Sequence, residues 1–316
     1  MTKRKIIALS IVGLLLLIII GISIYIYVMT HKKVVKFSGE IEETSTLKEI
    51  TSDTLDVESN TPKDVLYYSL WRVSNTKEFK VSSLGKSTAM NYTVNIKNER
   101  IVKDDEAMIT IVYGGLLKNS TQHYFKNDKA YIRQTSNISK SLVPTFSGND
   151  YKEYTRSEYI DLVGWFPFQA YGYILNDNTI EDSASLKKID ENLYQLDIEL
   201  NMDSKAIYYY KREIAYNSNS ITVPNFKYVN LSFTIDSNYY IRSVDIKEKY
   251  SVQAKQVSFL GEIDTVTKVT DTFTYDNIEF DSKYYDFYKE NIKKYANRLI
   301  GIFLIQLVDK YISPSN

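Results

Sequence analysis

The chain has 316 residues, with 39 basic and 39 acidic side chains, 28 tyrosines, two histidines and no cysteine. Balanced charge gives no global field to recruit nucleic acid. The absence of cysteine excludes disulfides, thiol catalysis, cysteine zinc sites and a lipidated cysteine anchor, and His31 and His123 leave little material for metal or acid–base chemistry.

Lys3-Arg4-Lys5 precede an uncharged apolar run from Ile6 to Met29, 24 residues long. At about 1.5 Å rise per residue such a run crosses a hydrocarbon core of roughly 30 Å. Gly21-Ile22-Ser23 offers a small-x-small cleavage pattern after Ser23, but the apolar run continues through Ile24–Met29 where a cleavable signal turns polar. The segment therefore reads as an uncleaved signal anchor. A long C-terminal domain behind one N-terminal span places the N-terminus inside and the domain outside the cell membrane. Tyr25 and Tyr27 suit an aromatic belt at the outer interface, although Lys32, Lys33 and Lys36 weaken the charge asymmetry.

Residues 31–61 read as an acidic linker. Between Ser38 and Asn60 it holds Glu40, Glu42, Glu43, Glu49, Asp53, Asp56 and Glu58 against Lys48 alone, a composition that suits a solvated stalk. The folded domain is expected over 62–280. Thr61, Pro62 and Asp64 form a helix start, and Leu66, Leu70 and Val73 recur at helical spacing to about Asn75.

The pattern then switches to period two. Tyr92, Val94 and Ile96 alternate with polar residues, as do Ile109, Ile111 and Tyr113, and then Ala130, Ile132 and Gln134, with Asn127-Asp128 as punctuation. Thr155 with Glu158 predicts a capping box and Gly164 the stop of a short helix. Gly164 to Ile174, "GWFPFQAYGYI", is the most aromatic stretch. A second β-rich half follows: Tyr194 to Leu200 alternate, and a helix opened by Asp203 places Ile207, Tyr210 and Ile214 on one face. Val229 to Ile235, Val244 to Val252, and Val269, Phe273 and Tyr275 then complete the strands, with a turn at Asp236-Ser237-Asn238. One-sided alternation predicts an antiparallel sheet with one face in water and helices over the other, an α+β fold. Residues 281–316 read as a C-terminal helix whose apolar run Leu299–Val308, ten residues long, is too short to span a bilayer. It either covers the core, or it forms a surface that docks an envelope protein or dips into the membrane.

Gly85-Lys86-Ser87-Thr88 has the form of the end of a phosphate-binding loop. Lys80 stands where the motif needs glycine, and "NYTVNIKNERI" continues as a strand where a helix should open, so no nucleotide is expected. His123 lies in a predicted strand with no Gly-x-Ser-x-Gly elbow in the chain. Asp177, Glu181 and Asp182 lack the glycine and alternate spacing of a calcium loop. No metal, cofactor or catalytic set is assigned, and the chain is not expected to be an enzyme. Trp165, Phe166, Phe168 and Tyr171 are the candidate residues for a hydrophobic ligand; the alternative is that they plug the core.

The order of elements carries a resemblance. A helix is followed by "FKVSSLGKSTAMNYTVNIKNERI", the Trp/Phe/Pro/Tyr-Gly middle, "ENLYQLDIEL", "SKAIYYYKREIA" and "FKYVNLSFTIDSNYYIRSVDIKEKY". Over roughly 62–280 this resembles the LolA/LppX-like lipoprotein-carrier superfamily, and in particular membrane-anchored envelope proteins of Gram-positive bacteria. The resemblance implies a strongly curved antiparallel sheet, a half-open barrel wrapped over a few helices, with an apolar cavity for acyl chains. The chain departs from lipid-anchored members by lacking the lipobox cysteine and by adding the C-terminal helix. The expected function is an extracytoplasmic module, tethered through Ile6–Met29, that binds a lipid or other amphiphile. The alternative is a non-catalytic envelope interaction or sensor module.

Overall fold

The structure is a computed structural model and describes residues 17–25, 27, 33–37, 43–50, 59–114, 119–136, 151–169, 171–255 and 261–279. Two compact units divide at Tyr275 and Asp276, a few residues before the boundary expected at 280. The expected C-terminal helix over 281–316, with Leu299–Val308, lies outside the described residues. So does much of Ile6–Met29: residues 17–25 are helical, with Leu17, Ile18, Ile19, Ile20 and Ile22 exposed. Among the described residues no helix is long and apolar enough to cross a membrane.

Eleven antiparallel strands form one open sheet: β1 (Glu78–Ala89), β2 (Tyr92–Lys103), β3 (Glu106–Gly114), β4 (Asn119–Lys126), β5 (Lys129–Ser136), β6 (Tyr151–Thr155), β7 (Ser185–Asp190), β8 (Leu193–Glu199), β9 (Asn225–Asp236), β10 (Ile241–Val252) and β11 (Ile263–Thr274). Their spatial order is β6-β5-β4-β3-β2-β1-β11-β10-β9-β8-β7. Two meanders thus grow outward and back, and the first strand pairs with the last in the middle of the sheet. The link from β6 to β7 must carry the chain from one edge to the other. It holds the aromatic stretch, which explains why that stretch ends up over the sheet's covered face.

Among the described residues, and apart from helical residues 17–25, three helices accompany the sheet: α1 (Pro62–Ser74), α2 (Arg156–Val163) and α3 (Tyr208–Ser218). α1 and α2 open on the expected capping boxes, Thr61 with Asp64 and Thr155 with Glu158, each satisfying two otherwise orphaned backbone donors. α1 buries Val65, Leu66, Tyr67, Leu70 and Val73, and its Tyr67 hydroxyl donates to Asp177 at 2.8 Å. α3 starts later than Asp203 predicts. The Asn201 side chain accepts from the Asp203 N–H, and the Ser204 hydroxyl donates to the Asn201 carbonyl, so these residues make a turn instead. The helix begins at Tyr208 with no side-chain cap.

Two glycines matter to the frame. Gly164 ends α2 at φ 104°, and a Cβ there would run into the carbonyl oxygen of Tyr209, so the glycine lets α2 lie close against α3. Gly85 sits in the middle of β1 opposite Ile96 of β2 and Val269 of β11, and the register is unbroken on both sides. Gly85 therefore marks no bulge in β1. A Cβ would strike the carbonyl oxygen of Lys268 and lie 2.6 Å from Val269 Cγ2, so the residue is glycine because the β11 backbone passes that close.

The described part of the stretch expected as a solvated stalk, residues 43–50, is bonded to the folded body. The Thr46 N–H donates to Leu175 O at 2.9 Å, the Lys48 N–H donates to Tyr67 O, and Lys48 pairs with Asp64. Backbone donors that a polar segment would otherwise leave to water are taken up by the carbonyls of Leu175 and, within α1, of Tyr67.

Candidate functional site

The interior of the sheet is legible as rows across the strands. Reading from β10 through β11 and β1 to β2, one row is Ile246, Val269, Gly85 and Ile96, and the next is Glu248, Thr267, Ser87 and Val94. Asp271 stands opposite Ser83, and Ser83 opposite Asn98, in a third. Above these rows lie α3 and the aromatic stretch, and between them is a cavity of about 280 Å³. Its wall combines aliphatic side chains with Tyr113, Tyr173, Tyr210 and Tyr250. The volume is about twice that of a cavity able to enclose benzene.

Four ionisable side chains line this cavity: Arg100 on β2, Glu213 on α3, Glu248 on β10 and Asp271 on β11. Three of them pin the aromatic stretch. Arg100 donates to the carbonyls of Pro167 at 3.3 Å and Gln169 at 2.6 Å, with its guanidinium over the rings of Phe79 and Trp165. The Trp165 indole N–H donates to Glu213 at 2.6 Å, and the Tyr171 hydroxyl donates to Asp271 at 3.2 Å. The Trp165 ring lies directly over Gly172, where a Cβ would be 3.1 Å from its Cδ1.

Burial shifts all four toward neutrality, because a charge removed from water is disfavoured. Arg100 is lowered by desolvation, with Tyr171, Asp271 and Glu213 opposing. Glu213 keeps part of its surface open and is pushed up to about 7 by desolvation, against the Trp165 hydrogen bond and Arg100. Glu248 is 0 % exposed and is pushed up to about 8 by desolvation, which the hydroxyls of Tyr210 and Thr267 only partly offset. Asp271 is raised for the same first reason, with Ser83, Arg100 and Tyr171 holding it back. Glu248 accepts from Tyr210 at 3.0 Å through Oε1, while its Oε2 is buried without a hydrogen-bond partner.

The four candidate ligand residues divide. Trp165 and Tyr171 line the cavity. Phe166 is buried against Phe125, at a centroid distance of 5.2 Å, and against Phe168 at 5.4 Å, so these two rings belong to a packed cluster rather than the cavity wall. The ionisable set escaped the sequence reading, although a signal was present. The alternations Ile246…Tyr250 and Val269…Phe273 each skip an in-phase position, and the residues there are Glu248 and Asp271. Arg100 is likewise in phase with Val94 and Ile96, and Glu213 follows Tyr210 by three residues on α3.

The other motifs resolve simply. Lys86, Ser87 and Thr88 lie within β1, where a phosphate loop would open a helix. His123 is buried on β4, with Nδ1 2.7 Å from the Tyr159 hydroxyl, and desolvation lowers its pKa to about 3. Asp177 is held by Tyr67 and Asp182 lies 3.3 Å from Lys63; among the described residues no cluster of three acids or histidines is arranged to hold a metal.

No protein-family model matches the chain, and no curated protein matches it. Among solved structures it is similar to the lipoprotein LppX of Mycobacterium tuberculosis, at 8% identity and a TM-score of 0.32, over 70% of this chain and 98% of that one. It is also similar to a DUF1329 family protein from Desulfovibrio piger, at 9% identity and a TM-score of 0.24, over 70% of this chain and 94% of that one. Likeness at this level does not extend to what the chain binds.

Proposed function

We propose that the chain is a non-catalytic module of the cell envelope that holds a lipid or other amphiphile in the cavity between its sheet and its aromatic stretch. The observation that carries this reading is the cavity itself: about 280 Å³, walled by aliphatic and tyrosine side chains with a few convergent polar groups. Within this reading the sheet curves into a half-open barrel around its helices. The close passage of β11 over Gly85 supports such curvature. Ile6–Met29 tethers the domain outside the membrane.

The test is native mass spectrometry of the full chain released from detergent, beside Ile96→Trp, whose added ring occupies the cavity. The wild type should carry an amphiphile that Ile96→Trp loses while remaining folded. Identical, unliganded spectra for both would sink the reading. The raised proton affinities of Glu213 and Glu248 favour one second reading, a hydrolase with Glu248 as general acid. Turnover of nitrophenyl glycosides or esters by the wild type, abolished in Glu248→Gln, would establish it in place of the first.

A further inference from the structure

The cavity's charge is one-sided. Three carboxyl side chains line it against a single base, Arg100, which is already bonded to the Pro167 and Gln169 carbonyls. Arg100 acts on Asp271 and Glu213, whereas nothing cationic lines the cavity beside Glu248 among the described residues. Glu248 is fully buried, yet its Oε2 has no donor at hydrogen-bonding distance, and beyond Tyr210 only the Thr267 hydroxyl opposite it in the row eases its charge. Buried acceptors are ordinarily satisfied, and a carboxylate in an apolar wall needs a donor or a positive charge. Around it stand tyrosine rings: Tyr210 lies 5.0 Å from Tyr173, and Phe226 lies 5.0 Å from Tyr250 and 5.6 Å from Tyr210. A carboxyl group with aromatic rings on several sides is an arrangement that attracts an organic cation. An anionic head would meet three acids instead, and an alcohol or ester head would leave the excess of acid uncompensated.

Resting on the reading of the cavity as an amphiphile site, we propose that its ligand is an amphipathic amine, with the ammonium at Glu248 among the tyrosines and the apolar body along Ile96, Ile111 and Val269. The groups facing Glu248 constrain its pH response. Tyr210 and Glu213 come from α3, Tyr173 from the aromatic stretch, Thr267 and Asp271 from β11, and Tyr250 from β10. The tyrosines are all shifted upward by burial, which leaves Glu213 as the other group titrating near neutrality.

The experiment uses the full chain in amphipol, titrated calorimetrically with octylamine, octan-1-ol and octanoate. Uptake by the amphipol is common to every variant and subtracts. Octylamine should bind about tenfold more tightly than octanol or octanoate, an advantage of the size set by one buried charge pair. That advantage should grow as pH rises from about 6.5 to about 9, as Glu248 ionises while the amine stays protonated. Glu248→Gln, which keeps the oxygen that accepts from Tyr210, should erase the amine preference and leave octanol unchanged. Octanol or octanoate matching octylamine in the wild type, which requires no variant to fold, overturns the inference and leaves the cavity reading standing. So does an amine preference that survives Glu248→Gln. If no probe binds, the cavity reading falls and takes this inference with it.

Discussion

Under β4 to β6 the interior is filled, whereas under β1, β2, β10 and β11 it is hollow, and one eleven-residue stretch serves both. Phe166 joins Phe125 and Tyr159 in edge-to-face contacts on the filled side, with centroids 4.7 to 6.2 Å apart. Trp165, its immediate neighbour, faces the hollow side with Tyr171. The two interiors also treat charge differently. The filled side contains His123, stacked edge-on with Tyr159 and Tyr216 and held neutral by burial. The hollow side keeps Arg100, Glu213, Glu248 and Asp271. Close packing leaves no volume to solvate or pair an ion, so ionisable groups gather where space remains.

The largest expected effect separates the two interiors directly. Phe166→Ala should lower unfolding stability by about 3–5 kcal/mol, since a ring is removed from a packed cluster. Tyr171→Phe, which deletes only a hydroxyl at the cavity wall, should cost about 1 kcal/mol. Urea unfolding of the full chain followed by tryptophan fluorescence measures both, and equal losses would erase the distinction. Next comes Gly85→Ala, at the boundary of the hollow region. Its methyl group would collide with the β11 backbone, so a loss near the upper end of overpacking costs, about 3 kcal/mol, is expected. An unchanged midpoint would show that β11 can move away and that the close passage is not a fixed feature of the sheet.

The most selective effect is on pH. His123 has a folded pKa of about 3, below its ordinary 6.5, so the unfolded chain binds the extra proton in that window. Its contribution to stability is therefore lost as pH falls from 6.5 toward 3. Glu248 has a folded pKa of about 8, above its ordinary 4.5, so here the folded chain binds the extra proton. Its contribution is lost as pH rises from 4.5 through 8. The filled side thus sets the acid limb of the profile and the hollow side the alkaline limb. Between about pH 6.5 and about pH 8.5 the wild type should lose about 2 kcal/mol, with Glu213 contributing to the early part. Glu248→Gln should flatten most of that fall and leave the acid limb in place. A profile unchanged by Glu248→Gln would mean that its carboxyl is solvated rather than buried.

Elements with local causes are legible in the order of residues. Thr61 with Asp64 and Thr155 with Glu158 cap α1 and α2, Gly164 stops α2, and period-two runs become strands, because each depends on residues within a few positions of one another. The start of α3 already needed more, since Asn201 draws Asp203 and Ser204 into a turn by bonds that Asp203's capping propensity does not reveal. Long-range features come from the folded chain alone. The pairing of β1 with β11 brings Gly85 against Lys268 across 183 positions of sequence, and no property of either segment announces it. The candidate site depends on the same pairing. Glu248 and Asp271 could be noticed as charges in phase with apolar neighbours, but only the folded sheet sets them beside Arg100 and Glu213. The split of Trp165 and Tyr171 from Phe166 and Phe168 has the same origin: all four are apolar rings in one loop, and which of them meets a packed wall or an open one depends on what the sheet places beneath.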